Sequence, residues 1–200
     1  LYVVTIPLIN WTTEVNSNIA LPNFLGNLKD WFLEQERQAT ELTFKFLSTN
    51  NILGVIANIL VLALVPAVTE ELLFRGCIQR ILTENVKLPH LGVIVSALIF
   101  SFAHMQFDGF IPRFILGLIL GYIFFYTRNI KLSMLFHFIN NLVAVLIAYI
   151  GINYYNYSPQ DLNSSTEFSN FYLALLSIVF IVFIIRFIYK NANRQSQITE

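Results

Sequence analysis

Charge is scarce in this chain. Only 12% of its 200 residues are Asp, Glu, Lys or Arg, the formal net charge is zero, and no basic arm or stripe occurs. That excludes the electrostatic footprint of a nucleic-acid partner. Cysteine is almost absent as well. Cys77 stands alone, so no intramolecular disulfide and no cysteine-built metal cluster can form, and its plain reading is a small apolar packing residue. What fills the chain instead is apolar: hydrophobic residues make up 56% and the mean hydropathy is +0.64. A soluble domain has no use for such a balance, and membrane lipids are the expected surroundings.

A bilayer-spanning helix takes about 20 mostly apolar residues. Runs of about that length lie at 52–69, 91–107, 111–127, 132–150 and 171–189, predicting an all-α, polytopic transmembrane helix bundle in one membrane domain over 1–200. The second and third runs are separated by a polar bend at Gln106 and Asp108, the pattern of a helical hairpin. Gly117 and Gly121 give the third a small-xxx-small packing face. Between about 20 and 48, apolar residues recur every three or four positions on a polar background, which predicts an amphipathic helix lying on the membrane or covering the mouth of the bundle. The opening "LYVVTIPLI" reads as the tail of an apolar segment rather than a signal peptide, so an N-terminal truncation is expected.

Lys and Arg set orientation. Arg75, Arg80 and Lys87 precede the second run, Arg128 and Lys131 lie between the third and fourth, and Lys190 and Arg194 follow the last, whereas 151–170 has two acids and no base. The reading is a cytoplasmic 70–90 connection, 128–131 turn and C-terminus, with 11–51 outside.

Against this background the few ionisable residues inside apolar runs stand out, since such groups are costly at membrane depth. Residues four apart share a helix face and adjacent ones point about 100° apart. Glu71 can therefore pair with Arg75, while Glu70 is left free in a poorly solvated place, the setting of a general base. His104 lies one turn beyond Phe100. His137 and Asn141 share a face, with Asn140 rotated away. Each alone has a structural reading, as a boundary acid or as interhelical polar glue. Together, a free carboxylate, two imidazoles and an amide form a parts list for amide hydrolysis: groups to deprotonate water and groups to hold an oxyanion. His90, beside Pro89, is given no role, and Arg80 is read as an ordinary basic flank.

Three motifs carry a resemblance. "EELLFR" at 70–75, "FSFAH" at 100–104 and "HFINN" at 137–141, in this order on successive apolar helices, resemble the motifs of the CAAX prenyl endopeptidase and bacteriocin-processing (CPBP) family of intramembrane proteases. The resemblance covers roughly 52–150. It implies a helical bundle with a polar, conical cavity open toward the cytoplasmic side, in an integral membrane protein of, for the bacterial branch, the plasma membrane. It implies Glu70 and His104 activating water, His137 and Asn141 stabilising the oxyanion, and Glu71, Arg75 and Phe100 in support. The substrate implied is a peptide or protein, lipidated in some relatives. The family's metalloprotease label raises zinc as the alternative cofactor, with Glu70, His104 and His137 as ligands. No H-E-x-x-H helix is present, and a carboxylate spent as a ligand is no longer the base, so the metal-free glutamate mechanism is preferred. The alternative from a different class is a non-proteolytic membrane partner, such as a bacteriocin self-immunity protein, that modulates another membrane protein.

Depth poses a difficulty. Counting at 1.5 Å per residue, His104 lies about 25 Å from a start at Lys87, and His137 about 9 Å from Lys131. For the two to meet, the second run must begin below the surface or tilt, and the Glu70 helix must continue toward Arg80.

Overall fold

The computed structural model describes residues 2–19, 26–85, 88–163 and 170–198. Lys87 and residues 20–25 of the expected amphipathic segment lie outside these, as does the side chain of Arg194. Among the described residues the chain is helical, without strands. Helix α1 is Tyr2–Ser17 and α2 is Asn27–Leu47. A continuous helix, α3, runs Ile52–Glu84; then come α4, Pro89–Ala103, α5, Phe110–Thr127, and α6, Ile130–Tyr155. A short 3₁₀ turn at Pro159–Asn163 leads toward α7, Phe171–Ile198. α3, α5, α6 and the Phe171–Lys190 part of α7 are long and apolar enough to cross a membrane.

Two expected spans change. The 52–69 run is only the first half of a 33-residue helix, because the residues after Glu71 stay helical by turning their polar side chains inward. The 91–107 run shortens to Pro89–Ala103: Met105 is in the left-handed region at φ 53°, which stops the helix at His104. At 15 residues α4 is about 22 Å long, less than the roughly 30 Å of a hydrocarbon core. Its far end carries His104 to the cavity that His137 also lines.

α3 is irregular where it matters. Wide, π-type turns occupy Leu60–Leu64 and Leu72–Gln79, on either side of Val65–Glu71. Pro66 has no N–H and its ring crowds the preceding turn, so a wider turn there lets the helix continue without breaking.

Antiparallel α4 and α5 pack tightly, as the hairpin reading expects. A Cβ on Gly117 would come within 3.2 Å of Ala97 and Phe100, and one on Gly121 within 2.8 Å of Val93. Both positions require glycine for this approach. The same bareness exposes their carbonyls: Arg75 Nη2 donates to Gly117 O at 2.8 Å and Gln79 Nε2 to Gly121 O at 2.9 Å. The small-residue face thus ties α3 to α5.

A buried apolar cluster including Leu8, Leu116, Leu120, Phe136 and Ile181 joins α1, α5, α6 and α7. Asn16, buried at the end of α1, donates to Phe107 O and accepts from Ile111 N, both at 2.8 Å, fixing the α4–α5 turn. The amphipathic α2 is pinned at its end by Asn58 Nδ2 on Phe46 O and Asn153 Nδ2 on Leu47 O, and by Leu47 against Val145 and Ile152. Large exposed apolar side chains on α3 and α7 form the outward surface that lipid would cover.

Candidate active site

Begin with the most buried charge. The Glu71 side chain is 0% exposed and that of Arg75 1%. Arg75 Nη1 donates to Glu71 Oε1 at 2.8 Å, and the guanidinium lies 4.8 Å from the Phe100 ring centroid. Ser133 Oγ donates to Glu71 Oε2, and His137 Nδ1 lies 3.0 Å from Glu71 Oε1. Three donors thus surround this carboxylate, and a buried pair of this kind needs such extra hydrogen bonds to offset desolvation.

Glu70, one residue earlier, lives differently. Its side chain is 27% exposed and its Oε2 has no hydrogen-bond partner in the protein. It stands on the wall of a cavity of about 510 Å³ whose lining also includes His104, Arg113, His137, Asn140 and Asn141. Its Oε2 is 3.8 Å from His137 Nε2. The two adjacent glutamates thus divide as their angular separation suggests.

The histidines are held with one nitrogen each. A carbonyl or carboxylate only accepts, so His137 Nδ1–H donates to Glu71 and Nε2 turns toward Glu70. His104 Nδ1 sits 2.9 Å from Phe100 O and donates there, leaving Nε2 unspent. Phe100, 1% exposed, separates the rings, with centroids 5.1 Å from His104 and 5.8 Å from His137. Asn140 Nδ2 donates to Asn141 Oδ1 at 3.3 Å, which leaves the Asn141 amide N–H₂ as a donor. Asn140 is not turned away from the site as helical spacing suggests; both amides line the cavity.

All the residues singled out in the sequence therefore gather at one cavity or directly behind it, with one difference in pairing. The imidazole beside Glu70 is His137, not His104. Other residues escape a sequence reading. Arg113 donates to Gln106 O at 3.0 Å and to Gln106 Oε1 at 2.5 Å on the cavity wall. The clue was available: it is the one charge in the 111–127 run. Ser133 was also missed, although it stands four residues before His137 on the face that continues to Asn141. Glu36 on α2 was not, because nothing local marks it. Its Oε2 accepts from Asp108 N at 3.2 Å, and it lines the cavity with Thr40 and Leu47, so α2 covers the mouth. Burial pushes the Glu36 carboxyl up from the usual carboxylate range, against the lowering pull of the Asp108 N–H.

Among the described residues, no three His, Cys, Asp or Glu side chains are arranged to hold a metal ion. The set a zinc ion would take, Glu70, His104 and His137, does not converge in this arrangement.

The cavity opens at the end of the bundle that carries α2 and the turn at 104–109. Arg80, Arg128, Lys131 and Lys190 lie at the opposite end, where Tyr126 of α5 meets Tyr189 of α7 at 5.0 Å. A cytoplasmic C-terminus and a cavity open to the cytoplasm therefore place the cytoplasm at opposite ends of one bundle, and only one of the two can hold.

Residues 52–143, which carry all three motifs, match the family model for type II CAAX prenyl endopeptidase Rce1-like proteins. The match spans somewhat under half of the chain and makes this segment similar to the Rce1-like family. The match takes in Glu70 through Asn141 and agrees with the CPBP resemblance. No curated protein and no solved structure gives a match. Among the described residues four helices are long and apolar enough to cross a membrane, and with this similarity the chain is an integral membrane protein.

Proposed function

We propose that this chain is an intramembrane endopeptidase that hydrolyses a peptide bond with water activated by Glu70. The observation that carries the reading is the Glu70 carboxylate. It keeps an oxygen free of any protein hydrogen bond on the wall of a polar cavity, 3.8 Å from an imidazole that a second glutamate orients from behind.

The chemistry follows from the donors and acceptors. Glu70, with the unspent Nε2 of His104 on the same cavity, takes a proton from water as the water oxygen attacks the scissile carbonyl carbon. The carbonyl oxygen becomes an oxyanion. The donors available to it are the Asn141 amide and, when its Nε2 carries a proton, the His137 ring that Glu71 holds through Nδ1. The tetrahedral intermediate collapses, the C–N bond breaks, and the proton taken from water passes to the leaving nitrogen. Glu70 and His104 end as they began.

The substrate is a peptide or protein segment. Leu47, Leu62 and Val145 give the cavity apolar walls beside its polar floor, suited to an extended apolar stretch. Substrate lipidation, a bacterial plasma-membrane setting and the side to which the cavity opens are parts of the proposal that activity and labelling experiments decide. The test is cleavage of a quenched fluorescent peptide library, prenylated members included, by detergent-purified wild type and Glu70→Gln, with and without a zinc chelator. Cleavage that is lost in the variant and survives chelation supports the reading. Loss on chelation, restored by zinc, moves the same side chains into a metal site. Cleavage by neither protein, with the cellular phenotype intact in both, favours a non-proteolytic membrane partner.

A further inference from the structure

A second and larger cavity, about 840 Å³, lies at the other end of the bundle between α5 and α7 and contains none of the motif residues. Its rim has two guanidinium groups, Arg128 and Arg186, and no acidic side chain lines it. Neither arginine forms an ion pair among the described residues, and both are exposed. Arg128 is steered by the chain itself. Its backbone is left-handed at φ 53°, ending α5, and its guanidinium carbon lies 5.6 Å from the Phe125 ring centroid. Tyr126 and Tyr189 meet beside it with ring centroids 5.0 Å apart. Tyrosine with arginine at the end of a spanning helix is the signature of headgroup depth.

The groove does not end there. Tyr122, Val182 and Ile185 belong both to this cavity and to a smaller one of about 180 Å³, which runs on along α5 and α7 toward Ile115 and Ile178 and has no polar lining residue but Tyr122. One continuous groove therefore has a cationic, hydroxyl-bearing head and an apolar tail directed into the hydrocarbon layer.

We propose that this groove binds one anionic glycerophospholipid from the adjacent leaflet, its phosphate between Arg128 and Arg186 and an acyl chain along Val182 and Ile185. A free phosphate would leave the apolar arm unused. A zwitterionic lipid would leave the excess positive charge of the rim unmatched. The inference is independent of the protease reading, because the groove shares no residue with the candidate active site.

The test uses the full chain in zwitterionic detergent, wild type and the double variant Arg128→Gln/Arg186→Gln, with apparent Tm as the readout. Each is titrated with dioleoylphosphatidylglycerol, dioleoylphosphatidylcholine and inorganic phosphate. The expected result is a saturable rise in wild-type Tm with phosphatidylglycerol alone. The variant should need roughly thirtyfold more lipid, the factor given by about 1 kcal/mol for each of two arginines near an anionic headgroup. An equal response to phosphatidylcholine, a response to phosphate alone, or an unchanged response in the double variant overturns the proposal. Should the double variant not fold, Arg186→Gln alone together with native mass spectrometry of wild type serves. Retention of phosphatidylglycerol over phosphatidylcholine, weakened several-fold in the single variant, supports the site, and equal retention of the two lipids overturns it.

Discussion

Glu71 Oε1 lies 3.0 Å from His137 Nδ1, across the interface of α3 and α6. The contact makes the second glutamate of the pair a positioning residue: it fixes which nitrogen of His137 carries a proton toward α3 and aims the other into the cavity. The same Glu71 oxygen accepts from Arg75, whose side chain is as buried as its own.

Replacing Glu71 should therefore hurt the fold before it hurts the chemistry. Glu71→Gln leaves the buried guanidinium without its counter-charge. Breaking one side of a buried pair costs about 3–5 kcal/mol. The expected outcome is a large fall in Tm in detergent and poor recovery of folded protein, with Arg75→Met/Glu71→Gln less impaired than either change alone.

Gly117→Ala and Gly121→Ala test the close contact of α4 with α5. The added methyl meets Ala97 and Phe100 at 3.2 Å in the first case and Val93 at 2.8 Å in the second. Overpacking of this sort costs about 1–3 kcal/mol. Thermal unfolding should show both variants destabilised, Gly121→Ala more so, and Gly117→Ala should also lose activity because Phe100 carries the backbone carbonyl that His104 uses.

Glu36 gives a pH dependence with a defined sign. Its folded-state carboxyl is raised by burial, with Asp108 and Arg113 facing it. A raised acid binds its proton more readily in the folded form, so its contribution to stability is full below the ordinary glutamate range and is lost as pH rises through the raised folded value. Tm measured from about pH 4 to 8 should carry a downward contribution that Glu36→Gln removes, leaving the variant the more stable near neutrality.

Orientation is decided by labelling. In a Cys77→Ser background, Ser158→Cys marks the end of the bundle that bears the cavity. The Lys and Arg of this chain predict reaction with a membrane-impermeant maleimide in intact cells. Reaction only after permeabilisation would instead put the cavity on the cytoplasmic side, as the family resemblance implies.

Much of this architecture could be read from residue order because membrane helices announce themselves by length and apolarity, and because helical periodicity alone separates Glu70 from Glu71. The α3 and α4 boundaries could not. Whether the helix after Glu71 continues depends on Arg75 and Gln79 finding carbonyls on Gly117 and Gly121, a tertiary fact with no local signal. Likewise the end of α4 rests on a left-handed Met105, a residue with no special preference for that conformation. Glu36 and the covering role of α2 come from a separate helix, and an amphipathic pattern does not say what its apolar face meets.

The central claim is that Glu70 performs the chemistry while Glu71 holds the site, and Glu70→Gln tests it most directly. The carboxylate has an unpartnered oxygen and is part-exposed, so its near-isosteric amide should leave the stability within about 0.5 kcal/mol of wild type. Loss of a general base costs about 10²–10⁴ in rate, which puts peptide cleavage at or below background. A folded Glu70→Gln protein that cleaves at the wild-type rate would contradict the account.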